Sequence, residues 1–321
     1  MSRIIIGVDV SRDALDVHVR PANVNRRFAN TAAGISELVA WTQTHKPERI
    51  VFESTGPYQK AAVGALLALG LPAVVVNARQ VRDFAKALGQ LAKTDAVDAA
   101  IIAHFGEVVP TDVRPLESPD LRELRDLYDR RGQLVRMLAA EKNHRHAAAG
   151  SSPKVLKNID KVIDFLEGQI HDLEDRMDRI VETSEAFRAQ DAILQSITGI
   201  GPQVSRTLIA YLPELGKRSR QSISALVGLA PFNDDSGQHT GQRHIRGGRS
   251  KVRIGLYQAA IAAIRHCAEM RAFYASLKAR GKASKVAIVA VARKILVLAN
   301  ALIRDMKPYT APSKLSLLKN T

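Results

Sequence analysis

Short apolar runs alternate with amphipathic stretches over the first 110 residues. Ile4–Val10 is a continuous apolar run rich in β-branched residues, which is typical of a buried strand. Leu15–Arg20 alternates as a hairpin partner would, and Arg26–Asn30 is predicted as a third strand. Two more strands are predicted at 49–53 and 73–76, with helices at 34–46, 58–69, 79–88 and 96–107. A hairpin meander followed by β/α alternation predicts a mixed sheet flanked by helices.

The central part of the chain has the spacing of long helices. Prolines at 110, 115 and 119 mark a linker, and Gly150–Pro153 interrupts the helical region that follows it. One apolar seam is formed by Leu121, Leu124, Tyr128, Val135 and Leu138. A second seam repeats at spacings of 4 and 3, as in a coiled coil, through Ile159, Ile163, Leu166, Ile170, Leu173, Met177 and Ile180. We expect the two helices to form an antiparallel hairpin. The hairpin could pack only on its own domain, or it could also pair between subunits.

Helical spacing continues after residue 191, with glycine-rich interruptions. Helices are predicted at 204–212, 251–270 and 285–306. The turn that contains Gly199 and Gly201 resembles a helix-hairpin-helix element, in which glycines let backbone N–H groups approach a phosphate. A turn that serves only helix packing is the alternative.

These patterns predict an α/β plus α chain, and its charge is distributed very unevenly. A mixed-sheet domain is predicted at 1–110, a linker with a coiled-coil hairpin at 111–190, and a mainly helical domain at 191–321. The formal net charge is +15, to which these three parts contribute +2, −2 and +15. A basic domain of this kind favours a polyanionic partner, because phosphate binding releases condensed counterions.

Cysteine content and hydropathy indicate the compartment. Cys267 is the single cysteine, which excludes a disulfide within one chain and fits a reducing environment. The most apolar late stretch, Val286–Ile303, is interrupted by Arg293 and Lys294, so a membrane span is not expected. We therefore expect a cytoplasmic protein.

Four carboxylates stand where the predicted domain can bring them together. Asp9 lies inside the first strand, where an ionised group is costly unless it is paired or holds a cation. Glu53 ends the strand that would lie beside it, and Asp95 and Asp98 share one face at the start of a helix. A pair of Mg²⁺ ions would relieve the repulsion among these groups and could stabilise the attacking and leaving oxygens of a phosphodiester displacement. Each residue taken alone has a simpler explanation, since Asp95 could stabilise only the helix N-terminus through the helix dipole and Glu53 could be a surface charge at a strand end.

The second candidate site is a glycine-rich basic loop after residue 228. Ser236 projects from it, either as an ordinary turn residue or as a nucleophile that a base or a metal would have to activate. The basic residues that follow would suit phosphate binding through Arg forks and a helix N-terminus, and they are Arg243, Arg246, Arg249, Lys251 and Arg253.

The motifs together resemble a known family. They are Gly7–Ser11, Glu53–Tyr58, Lys93–Asp98, Thr198–Gly201 and the segment from Gly228 through Ser236 to Arg249. They resemble those of the DEDD-type insertion-sequence transposases, which have a RuvC-like N-terminal domain and a serine-bearing C-terminal transposase domain and are described as bridge-RNA-guided recombinases. The resemblance covers nearly the whole chain.

The resemblance implies a mechanism and partners. Asp9, Glu53, Asp95 and Asp98 match the acidic tetrad that would bind Mg²⁺, and Ser236 matches the serine that would form a 5′-phosphoserine link to DNA. It also implies a structured noncoding bridge RNA that pairs with target and donor DNA, and homodimers that assemble into homotetramers. Lys93, Gly199 and Gly201 fall in its motifs and join the predicted nucleic-acid-binding residues.

Three other classes compete with this interpretation. An actin-like kinase or phosphatase would show a second glycine-rich phosphate loop in a repeated half, and the sequence has none. A Holliday-junction resolvase would use the acidic tetrad alone, with water as the nucleophile. A non-catalytic nucleic-acid-binding protein on a decayed nuclease fold would use neither the acidic tetrad nor a nucleophile.

Overall fold

The computed structural model describes residues 3–54, 56–90, 95–111, 118–232, 235–236, 239–240 and 244–310, without the side chains of 95–97, 235–236 and 239–240. The contacts divide the chain into two compact units, Met1–Glu117 and Ser118–Thr321. The helical hairpin and the C-terminal helices, which the sequence separates at residue 190, share the second unit.

The first unit is a five-stranded mixed sheet with helices on both faces. Its elements are β1 (Ile5–Val10), β2 (Ala14–Arg20), β3 (Val24–Ala29), α1 (Ala32–His45), β4 (Arg49–Glu53), α2 (Lys60–Ala68), β5 (Ala73–Val76), α3 (Ala78–Ala87) and α4 (Asp95–Val108). The strand order is β3-β2-β1-β4-β5, and β1 pairs antiparallel with β2 and parallel with β4. The predicted mixed sheet is confirmed, with the first strand central and the strand that ends at Glu53 beside it.

Alternation along β1 assigns its residues to two different cores. Ile6 and Val8 are fully buried on one face, in a cluster that includes residues of α1 and α2. Ile5, Gly7 and Asp9 face the other way, toward α4, because successive side chains of a strand point to opposite faces. An acidic residue at position 9 therefore lies on the α4 face of the sheet.

Gly7 is the point at which α4 approaches the sheet most closely. A Cβ atom on Gly7 would lie 2.3 Å from both the amide nitrogen of Ala103 and the carbonyl oxygen of Ala99. These are backbone atoms of the helix, so the helix itself would have to move to admit a side chain. Only glycine at this position allows α4 to lie on β1.

We therefore expect Gly7→Ala to destabilise the first unit by about 1–3 kcal/mol, the usual cost of overpacking a tight contact. Gly64→Ala is the matched control, because a Cβ there meets no described atom within 4 Å and alanine is the better helix former, by about 0.5–1 kcal/mol. Thermal unfolding followed by circular dichroism measures both. Equal melting temperatures for the two variants would contradict this packing.

The second unit begins with a helical hairpin. α5 (Pro119–Ala147) and α6 (Pro153–Thr183) run antiparallel, since ion pairs join Arg131 to Glu174, Lys142 to Glu167 and Arg145 to Asp160 at 2.6, 2.7 and 2.6 Å. Leu134, Leu166 and Ile170 are buried between the two helices. Val135, which the sequence placed on the seam, is 38% exposed, and Leu134 takes that position. The seam is shifted by one residue there because apolar residues at both positions satisfy the spacing equally well.

The remaining helices of the second unit surround one core. They are α7 (Glu185–Gln195), α8 (Pro202–Tyr211), α9 (Arg220–Val227), α10 (Ser250–His266), α11 (Ala268–Ala279) and α12 (Ser284–Asp305). Between α9 and α10, β6 (Pro231–Phe232) pairs with β9 (His244–Ile245), and β7 (Asp235–Ser236) pairs with β8 (His239–Thr240).

The prediction of a single helix over 251–270 is wrong, because the chain is extended at Cys267, with φ −117° and ψ 120°. The Arg271 side chain donates to the carbonyls of Ile264 and Arg265 and so satisfies the exposed end of α10. α11 follows at once and was not predicted as a separate helix. Arg271 lies on α11 and caps α10, and an interaction of this kind does not alter the apolar periodicity of the sequence.

By length and composition, α12 is the one helix of the described residues that could cross a membrane. Eight of its residues are buried, and they form a stripe that lies in the core of the second unit at Ala287, Val291, Ala292, Ile295, Leu296, Ala299, Asn300 and Ile303. Its apolar character thus has a use in packing against the other helices.

Candidate active site and nucleic-acid interface

Asp9 and Glu53 occupy equivalent positions on adjacent parallel strands. Val8 pairs with Phe52 in the register of β1 and β4, and each carboxylate comes one residue later. Glu53 shares its sheet face with Val51, which packs in the same core cluster as Ile5 on the α4 side. Both carboxylates are half-buried, at one end and on one face of the sheet.

The direction of α4 brings its first turn to the same end. Near its C-terminal end, Gly106 lies against Ile5 and Val51, while Ala103 and Ala99 lie against Gly7. The helix therefore runs opposite to β1, so that Asp95 and Asp98, in its first turn, lie toward Asp9. Asp98 is half-buried, and the Asp95 side chain lies outside the described residues. The fold thus places all four predicted positions at one end of the sheet.

A fifth carboxylate, which the sequence analysis missed, stands beside this group. Asp16 is the cross-strand partner of Asp9 in the antiparallel register of β1 and β2, so both side chains project from the same face. Its side chain is 15% exposed and lies 3.6 Å from the guanidinium of Arg27. Asp16 also lines a small pocket with Ala99 of α4. The strand alternation over 15–20 with a short hairpin turn was the signal that could have identified it.

The donor set at this end of the sheet fits a hard divalent cation. Carboxylate oxygens are the ligands that Mg²⁺ prefers, and several acidic groups on one face repel each other unless a cation lies among them. One oxygen of Asp9 accepts a hydrogen bond from the amide of Val10 at 2.9 Å, which holds the carboxylate close to its own strand. Among the side chains that the structure describes, no three of Asp, Glu, His or Cys come together as a ligand cluster. With Asp95 outside that description, the assignment of the metal site is a proposal.

The loop with the predicted nucleophile is anchored by close backbone contacts. Ser236 lies in β7 opposite His239, and its side chain is outside the described residues. At the ends of the loop, Gly228 and Gly248 pack so closely that a Cβ on Gly248 would lie 2.3 Å from the Gly228 nitrogen. Both glycines have positive φ, and they join the two ends of the loop tightly.

Arg249 is bound within the protein. Its guanidinium donates to both carboxylate oxygens of Glu214, at 2.6 and 2.7 Å, and to the carbonyl of Tyr211 at 2.7 Å. The two side chains of the ion pair are 24% and 16% exposed. A phosphate contact would require this pair to break, so Arg249 is placed to hold the start of α10 against α8.

We expect Arg249→Ala to destabilise the second unit by about 2–4 kcal/mol, because it leaves the Glu214 carboxylate without its bidentate partner. The exposed Arg246, which stacks over Phe232 at 5.4 Å, offers the control. Arg246→Ala should leave the melting temperature unchanged and lower the salt slope of duplex DNA binding by about 0.9. Our assignment of Arg249 is wrong if its variant melts like the wild type and reduces the salt slope instead.

Two further predicted cations also have partners inside the protein. Lys251 contacts Asp129 and lies 4.4 Å above the Tyr211 ring, while Arg253 donates to the carbonyl of Gly247 at 2.5 Å. The hydroxyl of Tyr211 donates to Asp129, and burial together with this carboxylate raises the pKa of Tyr211. Lys93 and Arg243 lie outside the described residues.

The two glycines of the predicted phosphate-binding turn have different surroundings. Gly199 has φ +101°, and a Cβ there would lie 2.4 Å from the Ala259 carbonyl oxygen of α10, so this glycine is required for helix packing. Gly201 is the N-cap of α8, and a Cβ placed on it would meet no atom of the described residues within 4 Å. The backbone at Gly201 is therefore open to a ligand.

Comparison with known proteins identifies the class of this chain. Residues 6–149 match the DEDD transposase family of IS110, and residues 191–275 match the transposase family of IS116, IS110 and IS902. The chain is 25% identical to the pilin gene-inverting protein of Moraxella bovis over 96% of its own length and 98% of the relative's. It is 27% identical to the IS900 42 kDa protein of Mycobacterium paratuberculosis, over 89% and 91% of the two chains. It is 29% identical to the IS116 44.8 kDa protein of Streptomyces clavuligerus, over 48% of this chain and 40% of the relative.

Transposase family models thus cover the sheet unit and much of the helical unit. The chain carries the two domains of the IS110/IS116 transposase family, and its function is that of a transposase or recombinase acting on DNA. The resemblance found in the sequence motifs is confirmed at this level.

Proposed function

We propose that this protein is an RNA-guided DNA recombinase of an insertion sequence, which exchanges strands through a covalent 5′-phosphoserine intermediate. The observation that carries the proposal is the juxtaposition of Asp9 and Glu53 on adjacent parallel strands, with the acidic first turn of α4 directed to the same end of the sheet. It stands in a chain whose residues 6–149 and 191–275 match two transposase family models, both of which include IS110.

The acidic half of the site would bind the scissile phosphate through Mg²⁺. Bound there, the cation would neutralise charge on the phosphate and on the oxygens that attack and leave it. Asp9, Glu53, Asp95 and Asp98 would hold it, and each would supply a hard oxygen ligand from a rigid strand or helix. Asp16 lies beside Asp9 and adds negative charge to this face, while the neighbouring Arg27 partly balances that charge.

Ser236 would supply the nucleophile. Its hydroxyl oxygen forms a bond to phosphorus, the bond to the 3′-oxygen of the preceding nucleotide breaks, and the serine proton is transferred to that leaving oxygen through a carboxylate of the tetrad. The products are a 5′-phosphoserine ester and a free 3′-hydroxyl. Attack by the 3′-hydroxyl of another strand reverses the step and releases the serine, so no external energy source is needed.

Guidance and assembly follow from the family resemblance. A structured bridge RNA would pair with target and donor DNA and so would recognise their sequences. The protein would then bind mainly the sugar-phosphate backbone of the nucleic acids. The net charge of +15 in the C-terminal part suits this role. Dimers would join into tetramers in which the tetrad of one subunit acts with the serine of another. Because curated relatives are named as gene-inverting proteins, we include inversion of a DNA segment among the proposed outcomes.

A trapping assay tests this proposal. The protein is incubated with cognate RNA, Mg²⁺ and both DNA duplexes and then denatured, and DNA that remains attached to the protein is measured by gel shift and mass spectrometry. We expect a phosphoserine peptide that contains residue 236, and no adduct without RNA or with a chelator.

Each alternative class gives a different product in this assay. Cleavage without any adduct would indicate a resolvase-like nuclease that uses water. Binding without cleavage would indicate a non-catalytic protein. Adduct formation without RNA would refute guidance while preserving the serine mechanism.

A further inference from the structure

A groove in the second unit has no role in the function proposed above. It encloses about 710 Å³, within the range of small-ligand sites. Its floor is the outward stripe of α12, formed by Val286, Val289, Ala290, Arg293 and Val297. The start of α9, Phe273 of α11 and the β6–β9 ribbon form its walls.

The groove accounts for an excess of apolar residues on α12. The stripe that lines the groove recurs at spacings of 3 and 4 and lies on the side of the helix opposite to the buried stripe that includes Val291, Ile295 and Ala299. The core uses the buried stripe and, at the edge of the groove stripe, Val289. Val286 is 55% exposed, although a polar residue would be expected at a solvated helix position. A second apolar face next to a cavity indicates a ligand with an apolar body.

The charges around the groove select the kind of ligand. Arg220, Lys285, Arg293 and Lys294 line it, and its described lining contains no carboxylate. None of the four forms an ion pair with a described acidic residue, in contrast to Arg249 and Lys251. Lys294 lies 4.9 Å above the ring of Phe273, so that an aromatic face and a cation stand together. An apolar floor, an aromatic side chain and a set of cations are the features that bind an unstacked base and its phosphates.

The groove adjoins the loop that bears the proposed nucleophile. Pro231 of β6 and His244 and Ile245 of β9 line it, and the segment between these two strands contains Ser236. Ser236 follows Phe232 by four residues and precedes His244 by eight. A nucleotide bound in the groove would therefore belong to the DNA strand that Ser236 attacks in the proposed reaction.

We propose that this groove binds an unpaired DNA nucleotide, with its base against the apolar stripe of α12 and Phe273 and its phosphates on Arg220, Lys285 and Arg293. This rests on the proposed action on DNA strands and adds a single-strand-binding site to it. By holding a nucleotide out of the duplex, the groove would stabilise the unpaired state that strand exchange requires.

Equilibrium binding of the full-length protein to a short fluorescent single-stranded oligodeoxynucleotide, in a chelator and without RNA, tests this site. Val286→Glu places a carboxylate in the groove at an exposed position, and we expect it to weaken single-strand binding about tenfold. Val155→Glu is the matched control, a valine of similar exposure (47%) on α6, and it should bind like the wild type. Arg293→Gln should lower the salt slope by about 0.7, whereas Arg179→Gln on α6 should not.

The proposal is overturned if Val286→Glu binds the oligodeoxynucleotide as tightly as Val155→Glu does. It is also overturned if an RNA of the same sequence binds more tightly than the DNA and loses as much affinity in Val286→Glu. Because the assay needs neither metal, RNA nor Ser236, its failure leaves the trapping assay unaffected, and a failed trapping assay leaves this binding measurable.

Discussion

Asp9→Asn is expected to abolish strand cleavage, with a loss of about 10³-fold or more, because one oxygen ligand with its charge is removed from the group that would hold Mg²⁺. The substitution preserves the size of the side chain and an oxygen able to accept from Val10. It also relieves repulsion from the cross-strand Asp16. The folded protein should therefore melt at the same temperature as the wild type in a chelator, or slightly higher.

Two measurements separate loss of metal from loss of fold. Mg²⁺ should raise the melting temperature of the wild type and not that of Asp9→Asn, because a ligand stabilises only a state that binds it. Asp13→Asn is the matched control, since Asp13 is in the turn after β1 and its side chain is 90% exposed. Full activity of Asp9→Asn, or equal loss in Asp13→Asn, would remove the basis for the metal site.

Ser236→Ala should eliminate the covalent adduct and strand exchange while leaving DNA binding intact. Loss of the hydroxyl removes the nucleophile itself, and the loss of a catalytic serine costs about 10⁶-fold in a well-studied protease. Ser276→Ala is the control, because Ser276 is an exposed serine on α11 whose hydroxyl donates to the Phe273 carbonyl of its own helix. Recombination by Ser236→Ala at the wild-type rate would refute the assignment of the nucleophile.

A mixture of the two inactive variants tests the composite site. If the tetrad of one subunit acts with the serine of another, subunits of Asp9→Asn and Ser236→Ala can together form some complete sites. Partial recovery of adduct in the mixture is then expected, with the DNA attached to the Asp9→Asn subunit. Absence of any adduct from the mixture would show that each chain uses its own serine.

The basic loop shows what residue type alone does not reveal. Five cations were assigned to phosphate binding from their spacing, yet Arg249 is bound to Glu214, Lys251 contacts Asp129, and Arg253 holds the Gly247 carbonyl. Glu214 and Asp129 lie 35 and 122 residues away from Arg249 and Lys251 along the chain, so a local view of the loop could not reveal these two carboxylates. The Gly247 carbonyl lies only 6 residues from Arg253. The groove cations Arg220 and Arg293 stand on helices where the sequence analysis sought no ligand.

Local pattern was sufficient for the sheet domain. The strands at 49–53 and 73–76 lie where alternation and β-branched residues predicted them. A strand that is buried against helices consists of apolar and β-branched residues, so its sequence alone indicates its burial. The acidic residues at 9, 53, 95 and 98 could likewise be expected to converge, since strand order and helix direction in such a sheet follow from connection rules.

The sequence by itself determined the elements of the sheet domain, the mixed sheet, the family and the basic character of the C-terminal part. Each of these depends on neighbouring residues, on order along the chain or on a sum over it. Only the tertiary structure decided which carboxylate stands opposite Asp9 and that helices pack directly on Gly7 and Gly199. It also decided which loop cations have partners in the protein, and which face of α12 is buried and which lines a groove. Those depend on contacts between residues far apart in the chain, and residue spacing within one element does not encode them.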